Sequence, residues 1–304
     1  MTLEKPEIHL IAGFNGAYLQ KSVTYLETMN RYSNVNNIII TLDFDIASDL
    51  REKLNNIKFI RINSEQVRSP NPNKCMQHGA FLEVPDFISD DSIIIFTDTD
   101  ITIQRPFNES ELRLLGDCKD GDVFVNLNMS ETQTLLMDTK ISPPNIDVSE
   151  LTKKYPEITT FKSYNTGVIC ANCRTYKRIF QQYNQYWPAF SPLFDAHVKQ
   201  QFLLAYIIQK HFHLRMMPYV IHSQAHSIPV DKYSDKRRRP GYMGGTEPTA
   251  FKLCIDSEVV VFNHHIKHES VLKIKLLQKK VKRQYKIISF LIILVIAILI
   301  ITLL

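Results

Sequence analysis

The amino-acid sequence predicts an α/β fold with a mostly parallel central sheet and helices on both faces of that sheet. Short apolar runs alternate with longer segments of helical patterning, which is the order of successive β-α-β units. The runs NIIITL (37–42) and SIIIF (92–96) are largely apolar, as expected of strands that are covered on both faces. Both observations favour a doubly covered parallel sheet over an all-helical or all-β fold.

The predicted elements follow one another without a segment that resembles an interdomain linker, so residues 1–270 are predicted to form one domain. Strands are predicted at 8–12, 37–42, 57–62, 92–96, 122–127, 167–171 and 258–262, helices at 17–32, 47–55, 74–83, 176–186 and 195–210, and loops at 138–160 and 231–249. Ligands of such sheets bind beyond the carboxyl ends of the strands. We therefore expect functional residues directly after Ala12 and directly after Phe96.

The charge of the chain is concentrated in one segment near its end. Of the formal net charge of +5, seven positive charges lie in 271–286, which contains no acidic residue, so residues 1–270 carry −2 in total. A general nucleic-acid-binding protein carries basic charge over its folded body. The distribution therefore argues against nucleic acid as a partner.

The last eighteen residues, 287–304, contain no charged side chain. A helix of that length spans about 27 Å, which is enough for the core of a bilayer. We expect a single-pass C-terminal membrane anchor, preceded by a basic stalk at 271–286 that lies on the cytoplasmic surface. Residues 1–270 would then be cytosolic, and the five scattered cysteines suit a reducing compartment.

Two carboxylates, Asp98 and Asp100, directly follow a predicted buried strand. Carboxylates one residue apart at a strand end can both turn toward a cleft, where a divalent cation relieves their mutual repulsion. Mg²⁺ and Mn²⁺ are commonly held by one or two carboxylates together with the phosphates of a substrate. The pattern therefore indicates a metal site that neutralises a diphosphate leaving group.

The same residues also fit the DxDxT nucleophile pattern of haloacid-dehalogenase-like phosphatases. Those enzymes carry a further acidic pair well downstream, after additional β-α units. Here the nearest such pair, Asp117 and Asp120, follows within twenty residues, and three strand-helix units precede Asp98. A phosphatase remains an alternative.

From about Ile8 to His268 the chain resembles the GT-A fold glycosyltransferases, nearest to family 8, which includes glycogenin and galactinol synthase. Four segments carry the resemblance: IAGFNGAYLQKSVTYLETM at the first strand and helix, the helix around Lys74, IIIFTDTDITIQRPF at the paired aspartates, and YNTGVICANCRTYKRIFQQY. The resemblance implies that Asn15 and Tyr18 contact the nucleotide base, that Lys74 faces the donor and that Asn165 contacts the donor sugar. It implies a donor-binding set of Phe14, Asn15, Tyr18, Lys74, Thr97, Asp98 and Thr99.

Two departures from the family pattern concern the catalytic and metal-binding residues. The family carries Asp-Gln where this chain has Gln200 and Gln201, so a carboxylate near the transferred sugar is absent unless Asp195 supplies it. In the family the last strand ends in a histidine that is followed six residues later by Lys-Pro-Trp, whereas here His264 and His265 are followed by Lys267 and no Pro-Trp. The resemblance implies a histidine as third metal ligand, with His264 the first choice and His265 the second. Imidazole favours Mn²⁺ over Mg²⁺.

The resemblance implies a metal-dependent transfer of a hexose from a nucleotide-diphosphate sugar, with UDP favoured, to a hydroxyl of a glycan or protein acceptor. Lys74, Asn165, Gln200 and Gln201 form the implied catalytic set. The sequence does not decide between retention and inversion. A non-catalytic, membrane-bound relative that binds a partner or a nucleotide is a further alternative.

Overall fold

The computed structural model of the chain describes residues 6–63, 86–127, 134–136, 148–190, 199–218, 221–223 and 261–264. Within these ranges, ten strands are seen, at Ile8–Asn15 (β1), Asn36–Leu42 (β2), Lys58–Ile62 (β3), Ile93–Thr97 (β4), Ile101–Ile103 (β5), Asp122–Leu127 (β6), Tyr164–Asn172 (β7), His213–Met216 (β8), His222–Ser223 (β9) and Phe262–His264 (β10). The α-helices lie at Leu19–Tyr32 (α1), Ser48–Lys53 (α2), Glu109–Gly116 (α3), Val148–Lys154 (α4), Cys173–Phe190 (α5) and Lys199–His211 (α6), with 3-10 helices at Gly16–Tyr18 and Pro156–Thr159.

Seven of these strands form the central sheet in the order β3-β2-β1-β4-β7-β6-β8. The pairs β3-β2, β2-β1, β1-β4 and β6-β8 are parallel, whereas β7 runs antiparallel to both of its neighbours. Only β7 therefore opposes the other six, which confirms the predicted mostly parallel sheet. The carboxyl ends of β1, β2, β4 and β6 lie at one edge of the sheet, together with the start of β7, which we call the carboxyl edge.

Helices cover both faces of the sheet, as predicted. On one face, alternate strand residues such as Ile11, Ile94 and Ile169 pack against α5 and α6 in one hydrophobic cluster. On the other face, the intervening residues, such as Leu10 and Ile95, pack against α1 and α3 in a second cluster. Because both faces are covered, the central strands have to be apolar along their whole length, which is the pattern seen in the sequence.

Several predicted boundaries were wrong. The segment 138–160 was predicted as a loop, but its described part contains α4 and the second 3-10 helix. Leu151 and Ile158 in these helices are fully buried, so tertiary packing outweighs the polar composition of the segment. Strands β1 and β7 and helix α5 are longer than predicted, and the short strand β5 was not predicted.

The unpredicted strand β5 belongs to a second, three-stranded sheet with the order β5-β10-β9. Antiparallel pairing places Phe262 opposite Ile103 and His264 opposite Ile101. Of the last predicted strand, 258–262, only 261 and 262 are described, and the observed strand begins at Phe262 and continues to His264, later than predicted. It pairs with the segment that directly follows Asp100.

Several predictions fall outside the described residues: the helix at 74–83, the loop at 231–249, and the stalk and anchor at 271–304. Across the described ranges, no helix combines the length and apolar character that a membrane span requires.

Candidate functional site

The paired aspartates lie in a turn at the carboxyl edge, between β4 and β5. Asp98 and Asp100 are both partly exposed, whereas Thr99 between them is 3% exposed. The exposed fraction thus alternates through the turn, with the threonine inside and both aspartates partly exposed, although Oδ1 of Asp98 is itself buried. The pair therefore directly follows a buried strand, which is the position that the sequence predicted.

The backbone of the turn is held by β7 through a short chain of hydrogen bonds. The Asp98 N–H donates to the Gly167 carbonyl (2.8 Å). The Gly167 N–H in turn donates to Oδ1 of Asn165, also at 2.8 Å. Asn165 is 6% exposed, so the structure links the predicted donor-sugar residue to the aspartate turn through one glycine.

The residues predicted to bind the nucleotide divide into exposed and buried positions. Tyr18 is 40% exposed and follows directly after the end of β1. Oδ1 of Asn15 is buried and has no hydrogen-bond partner among the described residues. Both side chains are therefore placed where a ligand at the carboxyl edge could use them.

Phe14 and Thr97 are buried beneath the site. Phe14 is 1% exposed and packs against Phe44, with ring centroids 5.9 Å apart. Thr97 is fully buried, and its hydroxyl is hydrogen bonded to that of Tyr25. In this structure their side chains belong to the packing under the carboxyl edge rather than to its surface.

The backbone of His264 comes close to the aspartate turn because His264 is paired with Ile101, the residue after Asp100. The side chain of His264 and all of His265 lie outside the described part of the structure. Among the side chains that are described, no group of three potential ligands converges. Two partly exposed aspartates in one turn are nevertheless donors of the type that Mg²⁺ and Mn²⁺ take, so the residues present fit a divalent cation.

Helix α6 carries Gln200 and Gln201 in its first turn. Helix α5 begins at the edge of the sheet opposite to the carboxyl edge, where the Cys173 N–H donates to the Ser92 carbonyl (2.8 Å). Helix α6 packs antiparallel to α5. The end of α5 meets the start of α6, as shown by Phe190 and Phe202 with ring centroids 5.6 Å apart. The first turn of α6 therefore lies toward the carboxyl edge. Gln201 is partly buried, and the Gln200 side chain and Lys74 lie outside the described part.

Two buried polar residues lie near the site: Asn126, which the sequence did not single out, and His222, which the sequence suggested as a polar residue at a strand edge. Asn126 on β6 lies opposite Asn165 in the sheet and is 1% exposed. Its amide donates to the carbonyl of His222 (2.8 Å), and His222 is fully buried beside β10. The pairing between β6 and β7 is irregular between Phe124 and Asn126, which no local sequence signal marks.

Among the described residues, one cavity lies at the edge of the sheet opposite to the aspartate turn. This cavity of about 560 Å³ is bounded by residues near the starts of β1 and β2 and by α3, including Asn34, Asn36 and Arg113. The two aspartates considered for a phosphatase site lie at this edge. Asp117 lines the cavity, and the Asp120 carboxylate accepts a hydrogen bond from the Thr175 hydroxyl (2.8 Å). This cavity is thus separated from Asp98 by the length of the central strands, so it is not the site that the aspartates define.

No family model and no curated protein matches the chain. Solved structures do resemble it. A crystal structure of an active-site mutant of LgtC superposes with a TM-score of 0.50 at 13% identity, over 85% of this chain and 87% of that one. The glycosyltransferase GlyE of Streptococcus pneumoniae TIGR4 superposes with a TM-score of 0.50 at 14% identity, over 86% of this chain and 55% of GlyE. The bifunctional glycosyltransferase WbbM superposes with 0.51 at 12% identity, over 88% and 46%.

The chain therefore spans about half the length of the GlyE and WbbM structures. At these identities the comparisons show a shared fold. Two of the proteins that share this fold are named as glycosyltransferases.

Proposed function

We propose that this chain is a metal-dependent glycosyltransferase that transfers a hexose from a nucleotide-diphosphate sugar to an acceptor hydroxyl. The observation that carries the proposal is the turn from Asp98 to Asp100, which presents two carboxylates at the carboxyl edge of the sheet. The fold shared with glycosyltransferases supports the same reaction class.

Each part of the carboxyl edge has a role in this proposal. Asp98 and Asp100 hold a divalent cation, which would neutralise the charge of the diphosphate leaving group. Asn15 and Tyr18, at the end of β1, bind the nucleotide. Asn165 keeps the Gly167 carbonyl in place against the Asp98 N–H, so its amide is fixed for a contact with the donor sugar.

The finer assignments rest on the sequence and on the family resemblance. We assign the third metal position to His264, with His265 as the second choice, and Mn²⁺ as the preferred ion because an imidazole ligand suits it better than Mg²⁺. UDP is the favoured nucleotide, and Lys74, Gln200 and Gln201 complete the catalytic set. The stalk at 271–286 and the anchor at 287–304 would hold the enzyme on a membrane with its folded domain in the cytosol.

The sheet topology argues against the phosphatase alternative. Strands β4 and β6 run in the same direction, because both are antiparallel to β7. Asp98 follows the end of β4, whereas Asp117 and Asp120 precede the start of β6. A five-residue strand spans about 16 Å, so these acidic residues lie at the edge opposite to Asp98 and do not complete a phosphatase site with it.

The proposal is tested by measuring nucleotide binding and sugar release together. We expect the full-length chain in detergent to bind UDP in a Mn²⁺-dependent manner by calorimetry, and to hydrolyse or transfer at least one sugar from a panel of nucleotide sugars. Asp98→Asn and Asp100→Asn should abolish turnover and leave the fold intact in thermal melting, because asparagine keeps the shape of the side chain and removes the charge that a cation requires.

Asp91→Asn is the matched control, since Asp91 precedes the same strand at its other end and its side chain is 89% exposed. It should leave turnover unchanged. Full metal-dependent turnover in Asp100→Asn would refute the metal role. Absence of metal-dependent UDP binding in the unmodified chain would favour the non-catalytic alternative.

A further inference from the structure

Helix α1 holds the strand residue that directly precedes the aspartate turn. The Tyr25 hydroxyl is hydrogen bonded to the Thr97 hydroxyl, and both side chains are fully buried. The ring of Tyr25 lies in the apolar cluster that also contains Leu26, Met29 and Ile95. A hydrogen-bonded polar pair in such surroundings stabilises the fold little more than a well-packed apolar pair would. The free-energy cost of burying each hydroxyl offsets most of the stabilisation from the hydrogen bond. Packing alone therefore does not require this pair.

The same helix also holds the strand that follows the turn. Thr28, one helical turn after Tyr25, accepts a hydrogen bond from the Ile103 N–H through its hydroxyl oxygen (3.1 Å). Its hydroxyl donates to the Tyr25 carbonyl at 3.0 Å. The two anchor points on α1 are thus connected to each other, and they fix the chain on both sides of Asp98 and Asp100.

Carboxylate spacing decides how well such a turn binds a cation. The affinity for the ion is highest when both carboxylates already lie near their coordinating positions, because ordering them on binding costs free energy. With Thr97 and Ile103 attached to one rigid helix, the intervening turn has few conformations left to lose.

We propose that Tyr25 and Thr28 are positioning residues that hold Asp98 and Asp100 at the spacing required by the divalent cation. This inference rests on the proposed function, since it assumes that these aspartates bind a metal. Burial raises the pKa of the Tyr25 hydroxyl, and the negative charge of Asp98 raises it further. Tyr25 therefore remains a protonated hydroxyl at any pH at which the enzyme would work.

The direct test is to titrate the full-length chain in detergent with Mn²⁺. Electron paramagnetic resonance measures binding as the decrease in the signal of the free ion. Tyr25→Phe removes only the hydroxyl, and Thr28→Val removes the acceptor for the Ile103 N–H while keeping the side-chain shape. Tyr25→Phe deletes one hydrogen bond, and Thr28→Val deletes the bond from the Ile103 N–H together with the bond to the Tyr25 carbonyl. Because each change frees one side of the aspartate turn, we expect the dissociation constant for Mn²⁺ to rise about three- to tenfold. At saturating Mn²⁺ the turnover of both variants should return close to that of the unmodified chain.

Tyr183→Phe is the matched control. Tyr183 is also a fully buried helical tyrosine, but it lies on α5, on the other face of the sheet. A purely structural role predicts that Tyr25→Phe and Tyr183→Phe lower the melting temperature alike and leave Mn²⁺ affinity unchanged. That outcome would overturn the inference, while a selective loss of Mn²⁺ affinity in Tyr25→Phe supports it.

The remaining outcomes separate this inference from the proposed function. If the unmodified chain binds Mn²⁺ and Asp100→Asn does not, the metal site stands, and unchanged affinity in both α1 variants overturns the positioning role alone. If the unmodified chain does not bind Mn²⁺, both proposals are wrong. Should Tyr25→Phe fail to fold, Thr28→Val decides the question, because Thr28 is only partly buried.

Discussion

Replacing Asn165 with alanine tests the link between β7 and the aspartate turn. The variant loses the acceptor for the Gly167 N–H, which is 2.8 Å away in a buried part of the strand. An unsatisfied buried N–H costs about 1–3 kcal/mol. For a domain of this size that cost lowers the melting temperature by about 2–12 °C. Differential scanning calorimetry measures this shift directly.

The same variant should lose more activity than its stability accounts for. The Gly167 carbonyl accepts the Asp98 N–H, so a shift of Gly167 displaces one carboxylate of the metal pair. Displacements of about 1 Å in a catalytic site can cost on the order of 100-fold in rate. We therefore expect metal-dependent turnover of Asn165→Ala to fall about 10- to 100-fold at a temperature at which the variant is fully folded.

Asn172→Ala provides the matched control on the same strand. Oδ1 of Asn172 accepts the Thr175 N–H, also at 2.8 Å, at the start of α5 and at the opposite edge of the sheet. Losing this helix cap costs about 0.5–2 kcal/mol, but it should leave turnover unchanged. Equal turnover in the two alanine variants, or an unchanged melting temperature for Asn165→Ala, would refute the reasoning.

Further expectations follow from other parts of the structure. Asn108→Ala removes the reciprocal cap of α3, in which Asn108 Oδ1 accepts the Glu111 N–H (2.9 Å) and Glu111 accepts the Asn108 N–H (2.8 Å). It should lower stability by about 1 kcal/mol in urea denaturation, and a loss of turnover would contradict the placement of the site. Among the described residues, the thiols of Cys118, Cys170 and Cys173 are buried. They should react with a thiol reagent only after unfolding, which peptide mapping can check. Labelling of any of them in the native protein would show that the core opens. Removing 271–304 should give a soluble and still active protein, and loss of folding in that truncated chain would place the segment in the core.

The positions of the central strands were predictable because burial on both faces leaves a strong local signal. A strand such as β4 is buried on both faces, so its run of four apolar residues at 93–96 could be identified without knowing its neighbours. The aspartate turn was predictable for a related reason, since two carboxylates cannot continue a buried strand and therefore mark its end.

Elements whose stability comes from distant contacts were not predictable in the same way. Helix α4 has a polar, loop-like sequence, and burial of Leu151 against the core stabilises it. Strand β5 has only three residues, and its pairing with β10 joins segments about 160 residues apart. Neither element has a local pattern that distinguishes it from a loop.

The sequence by itself determined the α/β class, most strand positions and the pair of carboxylates at the end of β4, because each depends on a residue and its immediate neighbours. Only the tertiary structure decided which residues surround that pair. It placed Gly167 of the antiparallel strand β7 against the Asp98 N–H, and it brought the Tyr25 hydroxyl to Thr97 from a helix 72 residues away in sequence. Such contacts depend on the order and direction of strands and on helix packing, which arise from the summed burial of the whole domain and leave no trace at any single position.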